Sequence, residues 1–136
     1  MLARLSSATW FTAALACGLV GCNGGDPYAT TPVSGVVTCQ GKPVANATVN
    51  FTPQPQEGRA EGRRGRVALG ITDQEGRFTL TTFENNDGAI VGKHTVSVGL
   101  NIDESTGASP TKNFPCSGST IEVVVERGVK EYKVEF

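Results

Sequence analysis

From Val33 to the C-terminus, apolar residues fall on alternate positions in short runs, and each run stops at a turn signal. This period of two constrains the chain most, because successive side chains of a strand point to opposite faces of a sheet. Val33, Gly35, Val37 and Cys39 share one face, with Ser34, Val36, Thr38 and Gln40 on the other. Ala47, Val49 and Phe51 then alternate with Thr48, Asn50 and Thr52. Val67, Leu69 and Ile71 start a third strand, and Phe78 and Leu80 face inward on a fourth. His94, Val96, Val98 and Leu100 mark a fifth, Ile121, Val123 and Val125 a sixth, and Tyr132, Val134 and Phe136 a seventh. Seventeen glycines and seven prolines in 136 residues supply the breaks between them. One domain with a small core follows from the length, and the fold expected is all-β: a seven-stranded, antiparallel-rich β-sandwich.

The connections differ in kind. Gln40-Gly41-Lys42-Pro43 and Arg127-Gly128 are short turns. In Thr72-Asp73-Gln74-Glu75-Gly76, Asp73 is expected to bond the backbone two residues on, with Gly76 at a positive φ. Residues 54–66 form a polar loop carrying Arg59, Arg63, Arg64 and Arg66, diluted by Glu57 and Glu61. Residues 84–92 form a second loop. Residues 101–119 form a third, rich in Ser, Thr, Gly and Pro and carrying Phe114 and Cys116.

Residues 1–32 lack the alternation. Arg4 precedes a short apolar run from Ala8 to Val20, which suits a signal-peptide core and is too short to span a bilayer. At its end, Leu19-Val20-Gly21-Cys22 resembles the lipobox of bacterial lipoprotein signals. That resemblance implies cleavage before Cys22, a diacylglyceryl group on its thiol and usually an acyl chain, such as palmitate, on its new amine. Residues 1–21 are then a removed signal peptide, and two or three chains at ~0.8 kcal/mol per buried CH2 hold the protein on a membrane. Asn23, not Asp, follows the Cys, which by analogy favours the outer membrane, on the periplasmic side, over the inner. Residues 22–32 are small, polar and broken by Gly and Pro, so they read as a flexible tether reaching about 35 Å when fully extended.

Within 33–136 lies a second resemblance. Val33-Ser-Gly-Val-Val-Thr-Cys-Gln-Gly-Lys-Pro-Val-Ala-Asn-Ala-Thr-Val-Asn-Phe51, Thr72-Asp-Gln-Glu-Gly-Arg-Phe78 and Gly92-Lys-His-Thr-Val-Ser-Val98 together are similar to the carboxypeptidase regulatory-like, transthyretin-like domain, an Ig-like sandwich. The family usually has an aromatic where His94 stands. The resemblance implies that the first, fourth and seventh strands share one sheet, and the second, third, fifth and sixth the other. It covers the accessory domain of carboxypeptidases and none of the peptidase machinery. Small lipoproteins with one such domain are a recognisable bacterial group, mostly of unassigned function.

Of the four cysteines, Cys17 leaves with the leader and Cys22 carries lipid, so Cys39 and Cys116 remain. In an oxidising compartment they suit a disulfide; free buried thiols or a zinc site are the other readings. The strand directions implied by the resemblance bring Cys39 and Cys116 to one pole, where a bridge would tie the two sheets.

Catalysis finds little support. The single histidine, His94, lies on an inward face and reads as a core residue in need of a hydrogen-bond partner. The Asp73–Glu75 and Asn85–Gly88 segments read as turn chemistry rather than calcium sites. No cofactor or metal is expected. Without residues 1–21 the chain holds 11 cations against 13 anions, because Arg4 is the one charge removed; that balance argues against nucleic acid.

The arginine loop joins the second strand to the third, at the pole where the tether arrives. Beside a lipid anchor it would meet anionic phospholipid. The opposite pole is the candidate for contact with an envelope protein or glycan. The expected function is that of a lipid-anchored, non-catalytic binding or structural module of the cell envelope. A ligand-binding surface domain for carbohydrate or peptide is the alternative, and an enzyme of unrecognised type the third reading.

Overall fold

A computed structural model describes residues 25–57, 65–109 and 114–136. Strands form where the alternation predicts them. β1 (Thr30–Thr31), β2 (Ser34–Cys39), β3 (Lys42–Pro43), β4 (Ala47–Pro53) and β5 (Ala68–Ile71) make the first half. β6 (Arg77–Thr79), β7 (Ala89–Ile90), β8 (Gly92–Leu100), β9 (Thr120–Val125) and β10 (Glu131–Glu135) complete the order. Each of the seven expected strands has a counterpart, and β1, β3 and β7 are two-residue additions.

The chain is an all-β sandwich. In one sheet β2 is central: β10 pairs it in parallel on one side, while β6 and then β3 pair it antiparallel. The other sheet runs β5-β4-β8-β9 and is antiparallel throughout. The partition into first, fourth and seventh against second, third, fifth and sixth strands is therefore present. The single parallel pair arises because consecutive strands β9 and β10 lie in different sheets. The turn between them crosses the end of the sandwich, where the Ser34 N–H donates to Lys130 O (2.8 Å) and the Glu126 N–H to the Tyr132 hydroxyl (3.0 Å).

The core lies between the sheets. Val37, Phe78 and Val134 from one meet Val49, Phe51, Val96, Val98 and Val125 from the other. Each such side chain, fully buried, contributes about 1.5–3 kcal/mol of transfer free energy. Gly35 holds its inward position because a Cβ there would strike Tyr132 O and the Phe78 ring. The two-residue connection Gln40-Gly41 between β2 and β3 has φ of 51° and 78°, as a type I′ hairpin requires.

Two differences from the sequence reading have plain causes. In β5 the apolar phase is inverted: Ala68 and Gly70 face inward, while Leu69 and Ile71 are more than half exposed. Leu80 and Phe78 fill the space beneath β5, so a Cβ on Gly70 would meet Thr79 O, Leu80 Cδ2 and Phe78 Cβ. Leu69 also exchanges backbone hydrogen bonds with Thr81 (both 2.9 Å), closing that edge of the sandwich.

The second difference concerns the tether assigned to 22–32, whose C-terminal half is docked. Asp26 Oδ1 accepts the Tyr28 N–H, β1 pairs β7, and Thr31 is buried. Backbone pairing, which polar residues make as well as apolar ones, holds this segment.

Candidate functional site

The strand register defines two poles. Ser34, Pro53, Gly92, Val125 and Glu131 lie at the end where the N-terminal segment arrives, the N-terminal pole. Cys39, Ala47, Leu100 and Thr120 lie at the other.

At this second pole, three connections singled out in the sequence converge on one groove of about 490 Å³. Its walls are Gln40, Lys42 and Pro43 of the hairpin, Gln74 of the Asp73–Gly76 turn, and Phe114 and Pro115 of the long loop. Val44, Ala45 and Asn46 complete it. Beneath the long loop, Cys39 and Cys116 form a disulfide with Cα atoms 5.9 Å apart, so the free-thiol and zinc readings fall away. The bridge fixes the loop that carries Phe114 and Pro115 against β2, and Gly118 N–H donates to Val98 O (2.9 Å), fixing it against β8 as well.

The Gln74 wall is rigid for the reason the sequence offers. Asp73 Oδ1 accepts the N–H groups of Glu75 (2.9 Å) and Arg77 (2.8 Å), and Gly76 has φ +77°. Apolar Pro43, Phe114 and Pro115, ringed by the amides of Gln40, Asn46 and Gln74 and the Lys42 ammonium, suit a small ligand with both an apolar body and polar edges.

The N-terminal pole differs. Of the arginine loop, Arg59, Arg63 and Arg64 lie outside the described residues, as does the lipidation candidate Cys22. Arg66 is exposed at this pole, its guanidinium 6.0 Å from the centroid of the Phe83 ring. Phe83 and Glu84 share a surface hollow with Asp26, Tyr28, Ala29 and Thr30. Thus Arg66, the one described arginine of the loop, lies beside Phe83 at the pole where the N-terminal segment arrives.

The intervening loop is built on Asp87. Its carboxylate accepts the N–H groups of Thr82 (2.7 Å), Phe83 (3.0 Å) and Glu84 (3.1 Å). Partial burial pushes this carboxyl up, but the donated N–H groups of Thr82, Phe83, Glu84 and Asp87 itself outweigh burial and hold it below the ordinary aspartate range.

His94 is buried at 1% exposure, with Nδ1 3.0 Å from Gly92 O and its ring 5.9 Å from that of Phe51. The carbonyl supplies the hydrogen bond that its inward position demands. The Asp73 and Asp87 carboxylates are both engaged by backbone N–H groups, the turn chemistry expected of them. Among the described residues no three metal-ligating side chains converge, and no helix is long and apolar enough to cross a membrane.

Phe83 escapes the sequence reading, although a signal exists. Phe78, Leu80 and Thr82 point inward, so Phe83 falls on the outward phase as an aromatic beside a polar loop. Among known proteins, no family model and no curated relative matches the chain.

Proposed function

We propose that the chain is a lipid-anchored cell-envelope protein whose sandwich is a non-catalytic module that binds a partner through the groove between Gln40, Gln74 and Phe114. One observation carries this reading: the docked N-terminal segment and the groove lie at opposite ends of the domain. A chain held by acyl groups on Cys22 would present the groove away from its membrane. The lipobox resemblance at Leu19-Val20-Gly21-Cys22 and the disulfide support export, since such bonds persist in oxidising compartments. The outer membrane, on its periplasmic side, is the location that Asn23 favours.

A carboxypeptidase regulatory-like, transthyretin-like domain is the family to which we assign the sandwich. Its support is the three quoted motifs and the sheet partition. His94, enclosed and bonded through Nδ1 to a backbone carbonyl, suits packing rather than acid–base work, which supports the non-catalytic reading.

The groove favours an envelope peptide over a glycan as its occupant. Pro43, Phe114 and Pro115 offer ridges for apolar side chains, and the one aromatic among the lining residues, Phe114, is partly buried against the core and so makes a poor sugar platform. Mass spectrometry of the protein from envelope membranes should find acyl groups on Cys22 as the first residue. Recovery of the unmodified chain from residue 1 overturns the anchored reading. Crosslinking through a photoreactive group at Gln74 should capture an envelope partner that the same group at Glu122, on the outer face of β9, does not.

A further inference from the structure

The N-terminal pole carries an exposed aromatic that the core does not use. We propose that Phe83, with Arg66 above its ring, is a second site: the point at which the domain docks on the phospholipid surface that anchors it. The inference rests on the lipid-anchored reading of Cys22.

Covalent geometry sets the distance. The sequence alone allows a tether to Pro32, but a compact turn begins at Asp26, whose carboxylate accepts the Tyr28 N–H, and the sandwich takes hold of it at once, the Val91 N–H donating to Ala29 O. Only four residue steps separate Cys22 from Asp26, a reach of at most about 14 Å. The headgroup layer on each side of a bilayer is itself about 5–8 Å thick. An acylated Cys22 therefore holds Asp26, and the hollow it shares with Phe83, at or just above the headgroups.

Position narrows the exposed apolar residues to Phe83 and Val129, of which Phe83 is the larger and the more exposed. Leu100 and Ile102 lie at the opposite pole, a nine-residue β8 away, about 30 Å. Leu69, Ile71 and Val124 lie on the outer face of the β5-β4-β8-β9 sheet. Phe83, 52% exposed, is at the leashed pole, and so is Val129 in the turn between β9 and β10.

The loop presents Phe83 rigidly. Three N–H groups converge on Asp87, Asn86 N–H donates to Thr81 Oγ1, and the Thr82 hydroxyl donates to Gly88 O. A pre-ordered aromatic tip loses little freedom on entering an interface. Arg66, whose guanidinium carbon lies 6.0 Å from the Phe83 ring centroid, adds a planar donor fork suited to lipid phosphate. Glu84 beside Phe83 opposes a strongly negative surface, so ring insertion and phosphate contact carry the docking rather than net charge.

Trp10 is the sole tryptophan and lies in the leader, so a mature Phe83→Trp protein has a single indole. The acylated variant is placed in phosphatidylethanolamine–phosphatidylglycerol vesicles, with Ile102→Trp, at an exposed position, as the probe of the other pole. An unchanged urea midpoint confirms that each variant is folded. The Phe83→Trp probe should shift to shorter wavelength, resist acrylamide and be quenched roughly twofold by brominated acyl chains, as expected for a ring at the headgroup–acyl boundary. Ile102→Trp should show none of these changes, and adding Arg66→Gln to the Phe83→Trp protein should weaken the quenching. Equal acrylamide access at both probes overturns the docking site. If Cys22 carries no acyl group, the anchored reading falls and the docking site with it; acylation without quenching removes the docking site alone.

Discussion

At the groove pole a covalent bond joins residues 77 apart in sequence, Cys39 and Cys116. At the N-terminal pole the equivalent closure, Thr30–Thr31 against Ala89–Ile90, consists of backbone pairing reinforced by turns. Both closures fix a segment of little apolar content to the sandwich. They differ in what can undo them: reduction opens the first, and loss of a few backbone contacts opens the second. The groove depends on its closure for a wall. The N-terminal pole depends on its own for the short leash.

The largest effect that tests this contrast is expected from the disulfide. Cys39→Ser with Cys116→Ser, or reduction, should cost about 4–5 kcal/mol, the loop-entropy value for a closure of this length. That is a large part of what a domain of this size possesses. The measurement is urea unfolding of oxidised and reduced protein. Amide exchange should rise at Gly118 and Ser119 under mild reduction while Thr31 stays protected. A loss below about 1 kcal/mol would mean that Phe114, partly buried against the core, holds the long loop unaided.

Next in size is the hinge of the other closure. Gly88 has φ +88°, is buried, and has no room for a Cβ, which would collide with the Thr31 carbonyl. Gly88→Val should cost about 2–3 kcal/mol, combining backbone strain with loss of the β1–β7 pair. Hydrogen exchange should localise the change to Thr30, Thr31 and Ile90, and proteolysis between Gly25 and Pro32 should accelerate. Equal loss of protection at Gly118 would show that the poles are coupled rather than independent.

The two poles were not equally legible in the sequence. The groove pole is announced by its residues: the Gln40–Pro43 turn, Asp73 and Gly76 in a tight turn, and the cysteine pair Cys39 and Cys116. Strands long enough to show alternation were likewise readable, whereas their partition into sheets followed from the family resemblance and not from the alternation. β1 and β7 contain two residues each, too few for a period, and their pairing uses main-chain groups that every sequence possesses. The inverted phase of β5 was hidden for another reason. Which face of Ala68-Leu-Gly-Ile71 turns inward is decided by Phe78 and Leu80, which occupy the volume from the next strand. Side-chain size across the fold settles it, and local alternation does not.

The smallest predicted effect sharpens the contrast by pH. Because backbone donors hold the Asp87 carboxyl below its ordinary value, protons bind the unfolded chain more readily than the folded one in the acid range. Its stabilisation is therefore full above the unfolded aspartate range, near pH 4, and is lost as pH falls through the lowered folded value. Asp87→Asn keeps one acceptor oxygen but removes the charge, and should cost about 1 kcal/mol at neutral pH, less at acid pH. Asp103 on the long loop is also held low, chiefly by the Ser105 hydroxyl and then its N–H. Its bonds, however, stay within an exposed turn, so protonation there should loosen residues 103–107 without reaching the bridge. Amide exchange at pH 3 should thus rise around Thr82–Glu84 and Thr31 in the wild type, with Gly118 unchanged as long as the disulfide is intact. If acid instead loosens both poles in step, a single cooperative unit spans the sandwich, and the separation between a reducible pole and an acid-sensitive one is wrong.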